Sequence, residues 1–335
     1  MCSRTTALWC NLAVVNVLVS FTIAQARPPA KLESAGVLTI AIGVPSQTIP
    51  QSARKHNHNK YEFSGIGRRN IARGTNLYSW EAEKELGEKL ARIVEQQSDL
   101  IVDPVITEYV DRLEQRIAHN SDYRGPLTVK IVKDVDTNAY SLPGGLIYVQ
   151  TGIILAAENE AELAAVLAHE TGHLAARHMT RLITRQKTWK VLSLAFGGPA
   201  GYLFVKKALP IFLMKSMRNS EFEADLLGLE YQYAAGYDPD EFLRLLKVVD
   251  EGVEKASLLT RLTDSHPLTD ARIRHAQSDI ARYLPTRTQH IIDTSEFQEM
   301  KRRVSNLMGI SDSDWKSADD SSFTGDSFQP LATQP

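Results

Sequence analysis

A mainly helical α+β fold, with a small β-sheet packed against helices, is predicted by three features of this 335-residue sequence. Two short strand-like segments lie in its first half. Beyond residue 158 the chain is helical almost without relief, and no internal repeat points to a solenoid. The composition fits an enzyme-sized core: 43% of residues are hydrophobic and 23% charged. With 38 Lys+Arg against 40 Asp+Glu, the net charge of −2 offers no basic excess for nucleic acid. The only cysteines, Cys2 and Cys10, lie in the first ten residues, so the body can hold neither a disulfide framework nor a cysteine zinc cluster.

At the N-terminus, Arg4 precedes an uncharged stretch from Thr5 to Ala26 with an apolar centre from Leu12 to Ile23, closing on Ala24-Gln25-Ala26. Residues 1–26 read as a signal peptide, and an uncleaved anchor is the alternative. Residues 27–78, rich in Pro, Ser, Asn and basic groups, read as a flexible linker, and His56 and His58 within it as solvated. The catalytic domain is expected over 79–290. A C-terminal extension follows over 291–335, ending in a disordered acidic tail of five Asp against one Lys from Ser311.

Within the domain, Leu86, Leu90, Ile93 and Val94 carry helical spacing over 81–97, and a second helix follows Asp103-Pro104 with Val105, Ile106, Tyr109, Val110, Leu113 and Ile117 on its apolar side. Leu127 to Lys133 alternates as a half-buried strand. Asn138 to Gly152 reads as a turn and a second strand, placed at an edge by Pro143. Helices are expected over about 159–183, 218–235, 239–250 and 268–283. The stretch 191–214 is apolar but broken by Gly197-Gly198-Pro199, Lys206-Lys207 and Pro210. It reads as a helical hairpin near the site or against a membrane surface, or as a core helix pair, rather than a clean span.

His169-Glu170-Thr171-Gly172-His173 is an H-E-x-x-H sequence inside the helix that Asn159 and Glu162 are placed to cap. Residues four apart stack on one helix face, so both imidazoles aim at one point. Glu170 is offset by one position, within reach of a metal-bound water. A catalytic zinc takes three protein ligands and one open position. Downstream candidates are His178, His266 and the carboxylates of 218–225, where Glu221 and Asp225 share a face and Glu223 points elsewhere. Glu221 is expected as ligand and Asp225 as the acceptor orienting a ligand imidazole. His178, Arg272 and His275 read as packing or salt-bridge groups.

Over residues 76–282 the sequence resembles the HtpX/BepA-like zinc metallopeptidases, a membrane-associated family that includes the CAAX prenyl protease. The likeness rests on Asn138-Ala-Tyr-Ser-Leu-Pro-Gly-Gly, His169-Glu-Thr-Gly-His-Leu-Ala-Ala-Arg-His178, Arg218-x-x-Glu221-x-Glu-Ala-Asp225, and Ser265-His-Pro267 with Arg272. It implies a gluzincin-type fold with Glu221 as third ligand. Met217 stands where the family usually has Ser, and residue 283 lies too near the chain's end for the helical repeat domain of BepA-like members. The likeness is therefore to short, secreted members.

These readings imply one Zn2+ per chain on His169, His173 and Glu221, with Glu170 as general base. His266 is expected either to donate to the oxyanion or to cap the zinc as a fourth ligand, and Gly144, Gly145 and Leu146 to pair an extended substrate along an edge strand over 142–150. The expected function is a metalloendopeptidase acting on misfolded or unassembled envelope proteins in the periplasm, with a membrane surface or envelope assembly machinery as further partners. A metal-stabilised chaperone module is the alternative. An integral prenyl-protein protease is disfavoured because the body lacks several clean apolar spans.

Overall fold

In a computed structural model of the chain, the described residues are 61–196, 201, 203–250, 266 and 270–310. The expected signal peptide, His56, His58, the Gly197-Gly198-Pro199 break and the acidic tail lie outside them. Among the described residues the fold is mainly helical, with one four-stranded mixed sheet. Helix α1 (Trp80–Gln97) starts at Ser79, whose hydroxyl accepts from the Ala82 N–H. After the two-residue strand β1 (Leu100–Ile101), α2 (Pro104–His119) begins as its sequence dictates. Pro104 lacks an amide the helix would leave unpaired, and Asp103 Oδ1 accepts from Val105 and Ile106.

Strands β2 (Thr128–Val132), β3 (Ala139–Leu142) and β4 (Leu146–Gln150) complete the sheet in the order β1-β2-β4-β3, antiparallel except for the β2/β4 pair. The expected single edge strand over 142–150 therefore becomes two strands. Pro143 sits in their turn, not in the outer strand. β4 is paired on both sides, and the edge falls to residues 139–142.

A short helix, α3 (Thr151–Ala156), leads into α4 (Glu160–Ala175), where the Asn159 side chain accepts from the Glu162 N–H at 3.0 Å. The continuous helix expected to residue 183 is broken at Arg177, whose φ of 55° is left-handed and costs a non-glycine residue roughly 1–2 kcal/mol. Its guanidinium offsets that strain by pairing with buried Glu83 and donating to the Tyr78 carbonyl. Helix α5 (His178–Phe196) follows the break, and a π-helical turn (Phe204–Ala208) precedes α6 (Leu209–Ala234). α7 (Asp240–Asp250), α8 (Asp270–Tyr283) and α9 (Ser295–Met308) follow. Ala165, Leu229, Phe242, Leu243, Leu246 and Ala276 pack α4, α6, α7 and α8 into one core.

Packing extends beyond both expected domain edges. In α9, Phe297, Met300 and Val304 are buried, and the Phe297 ring meets Tyr109 of α2. Residues 61–78, expected as linker, carry buried Ile71 and Arg69, whose guanidinium bonds Asp122 Oδ2 at 2.6 Å and Glu230 Oε2 at 2.7 Å. Both acids are almost fully buried, so removing the cation leaves two carboxylates with their desolvation uncompensated. Arg69→Ala should lower the urea-unfolding free energy by about 3–5 kcal/mol. A loss under about 1 kcal/mol, the range of an exposed ion pair, would return this segment to a linker role.

Candidate metal centre

The centre forms where α4 crosses α6, and two glycines set how closely they approach. A Cβ on Gly228 would lie 3.0 Å from His169 Cα, and one on Gly172 would lie 3.0 Å from the Ala224 carbonyl oxygen. An added Cβ at either position would be held tighter than most real contacts, and the helices would have to part by a few tenths of an ångström to take it. The close approach brings Glu221 and Asp225 of α6, four residues apart on one face, against His169 and His173 of α4.

His169, His173, Glu221 and His266 each offer a ligand atom, all within 4.8 Å of one another. His169 Nε2 lies 3.0 Å from His173 Nε2, 3.5 Å from Glu221 Oε2 and 3.3 Å from His266 Nδ1. His173 Nε2 lies 3.6 Å from Glu221 Oε1, and His266 Nδ1 lies 2.9 Å from Glu221 Oε2. Ligands at about 2.0–2.1 Å on a tetrahedron stand roughly 3.4 Å apart, so this donor set fits a tetrahedral zinc-type ion. The electrostatics point the same way. Burial alone would lower the His169 imidazole, but Asp225 and Glu221 outweigh it and hold its pKa up to about 9.

Each histidine of the motif is backed on its far side, His169 by Asp225 directly and His173 by Glu223 through His178. Asp225 Oδ1 lies 3.1 Å from His169 Nδ1, close but not aligned as a hydrogen bond. Asp225 is itself held by Arg272, which donates to both of its oxygens at 2.6 and 2.7 Å. For His173, Nδ1 faces His178 Nδ1 at 3.0 Å, and His178 Nε2 faces Glu223 Oε2 at 3.2 Å. If the Glu223 carboxylate accepts from His178 Nε2–H, then His178 accepts from His173 Nδ1–H and the His173 Nε2 lone pair faces the ligand set. Burial keeps both His173 and His178 below the usual imidazole range, which favours these neutral forms. Glu223 stands outside the ligand cluster but reaches it through His178, which meets Glu223 as a neutral hydrogen-bonding group rather than as half of a salt bridge. The break at Arg177 is what turns His178 back beneath His173.

Glu170 is 2% exposed, and two groups from elsewhere in the chain reach it. Ser141 of β3 donates its hydroxyl to Glu170 Oε2 at 2.8 Å, and His266 Nε2 lies 3.3 Å from Oε1. The His266 backbone carbonyl accepts from Arg272 at 2.9 Å, which ties this residue to the Asp225 side of the site. Reading the sequence missed Ser141, although the Asn138-to-Gly145 motif contains it, because only the fold places that strand against α4.

Gly144, Gly145 and Leu146 sit otherwise than expected. A Cβ on Gly145 would meet the Pro126 carbonyl oxygen at 2.0 Å, and one on Gly144 would meet Lys84 Cα of α1 at 2.8 Å. Both glycines are in a turn packed under α1, with φ of 84° and 93°. Leu146 pairs with Thr128 on one side and Leu142 on the other, so its backbone has no open side for a substrate.

Among proteins compared with this chain, the beta-barrel assembly-enhancing protease of Yersinia pestis is 25% identical over 270 residues, covering 76% of this chain and 53% of that protein. The mitochondrial metalloendopeptidase OMA1 of Schizosaccharomyces pombe is 33% identical over 177 residues, half of this chain and 51% of that protein. A putative beta-barrel assembly-enhancing protease of Vibrio cholerae is 27% identical over 223 residues, covering 62% and 46%. The chain spans about half the length of these curated relatives. The model of peptidase family M48 matches residues 104–280, from the start of α2 into α8 and across every ligand candidate. The chain belongs to peptidase family M48.

Proposed function

We propose that this chain is a zinc metalloendopeptidase hydrolysing peptide bonds in misfolded or unassembled envelope proteins. The observation that carries the reading is the convergence of His169, His173 and Glu221 beside a buried Glu170. One zinc per chain, held by those three residues, would supply a water acidified to about pKa 7 and polarise the scissile carbonyl. Glu170 takes the water's proton and returns it to the leaving amine. Ser141 holds Oε2, so Oε1 is the oxygen left to carry that proton. Among the described residues, β3 is one of the two edge strands of the sheet and the one beside Glu170, so an extended polypeptide paired along Ala139–Leu142 would lie next to that carboxylate. That strand takes the role expected of Gly144, Gly145 and Leu146.

The envelope assignment rests on the apolar leader over 1–26 and on relatives named for β-barrel assembly. The protein would act in the periplasm, either after cleavage of the leader or anchored by it, with envelope assembly machinery as a further partner. His266 is read as a cap. Its Nδ1 stands among the ligand atoms and its Nε2 faces Glu170 Oε1, so it occupies the space an attacking water and carbonyl need. It must therefore leave before substrate enters. The same closed geometry favours a second reading, a metal-stabilised chaperone with little proteolysis.

His266→Ala separates the two. As a peptidase with its cap removed, the variant should keep zinc and cleave casein several-fold faster than wild type. Slower cleavage would assign His266 to oxyanion stabilisation, and no cleavage by wild type or variant would leave the chaperone reading standing.

A further inference from the structure

We propose that the hairpin formed by the end of α5 and the start of α6 is a docking surface for an anionic lipid bilayer. Among the described residues, seven of the twelve large apolar side chains that stand exposed fall between Val191 and Met217. Ile211 is 69% exposed, Met214 54% and Phe212 41%, a concentration unlike the single exposed residues scattered over the rest of the surface. Two contacts set the two helices side by side. Arg185 bonds the Ser216 hydroxyl, and the Trp189 and Phe212 rings meet edge-on at 5.1 Å. Ile211, Met214, Lys215 and Arg218 recur at helical spacing, so the apolar and basic groups share one face of α6.

Charge selects the occupant. Residues 171–220 contain no Asp or Glu and nine Lys or Arg, in a chain whose net charge is −2. Lys187, Lys206, Lys215 and Arg218 are all exposed. A second copy would bring like charge against like charge, whereas anionic headgroups complement the basic groups as the apolar side chains enter the acyl boundary. Long Lys and Arg stems can lie along apolar surface while their charges stay at headgroup level. No helix among the described residues is long and apolar enough to cross a membrane, and the proposal is of docking at the interface rather than of a span. Met214 and the ligand candidate Glu221 are seven residues apart on α6, about 10 Å along the axis, so docking holds the metal centre close above the bilayer. The proposal stands on this surface alone and does not depend on the peptidase reading.

The test is amide hydrogen exchange of the full chain with and without phosphatidylglycerol vesicles, read in peptides covering 203–217, beside co-sedimentation with phosphatidylglycerol and with pure phosphatidylcholine vesicles. Expected are protection of 203–217 on the anionic vesicles only, sedimentation that weakens with added salt, and loss of that protection in Ile211→Asp/Met214→Asp, with partitioning down about tenfold. Because the exchange readout is local, binding through the N-terminal leader cannot imitate it. Unchanged exchange of 203–217 on the vesicles overturns the proposal even if the chain sediments. Protection that instead rises with protein concentration in the absence of lipid also overturns it and assigns the face to a second copy.

Discussion

Glu170→Gln should keep its zinc and lose casein cleavage by about 10²–10⁴-fold, the span expected when a positioned general base is removed. The separation of the two effects follows from where Glu170 stands. It is not among the four residues whose ligand atoms converge, and its oxygens are engaged by Ser141 and His266. Gln keeps the shape and one acceptor oxygen, so the Ser141 hydroxyl retains a partner and α4 retains its packing. What disappears is the capacity to take a proton from water. Undiminished cleavage by a contaminant-free preparation would remove Glu170 from the mechanism.

Glu221→Ala should have the opposite signature, with zinc lost on dialysis and cleavage lost with it. The remaining imidazoles, His169 and His173, fall short of the three protein ligands of a catalytic zinc site. The other carboxylate on the same face cannot take over. Asp225 is 2% exposed, carries two hydrogen bonds from Arg272, and sits on the far side of His169 from the ligand cluster. Burial raises a carboxylate's pKa, yet Arg272 outweighs it and keeps Asp225 ionised below the usual range, so its charge is committed to that pair. Nor does His266 replace Glu221, since its Nδ1 stands 2.9 Å from Glu221 Oε2 and its placement leans on that carboxylate.

The two i, i+4 pairs that meet at the site were legible in the sequence because their geometry is local. An i, i+4 spacing puts His169 over His173 and Glu221 over Asp225 whatever else the fold does. The starts of α2 and α4 were legible for the same reason, since Asp103-Pro104 and Asn159 cap them through bonds spanning two or three residues. What escaped depends on contacts between distant parts of the chain. Ser141 meets Glu170 only because β3 is the outer strand. Pro143 suggested an edge but could not say that it occupies a turn between two strands. The left-handed Arg177 carries no glycine to announce the break between α4 and α5, and its compensation comes from Glu83 and Tyr78, almost a hundred residues earlier. The polar run 61–78 has no periodicity, and its place in the domain rests on Arg69 reaching Asp122 and Glu230.

In the proposed division of labour, Glu221 holds the metal and Glu170 moves the proton. Zinc content and casein cleavage measured on the same preparations of wild type, Glu170→Gln and Glu221→Ala test it most directly. The prediction is zinc in wild type and Glu170→Gln, none in Glu221→Ala, and cleavage by wild type alone. Zinc and cleavage both retained in Glu221→Ala, or zinc lost together with activity in Glu170→Gln, would contradict it.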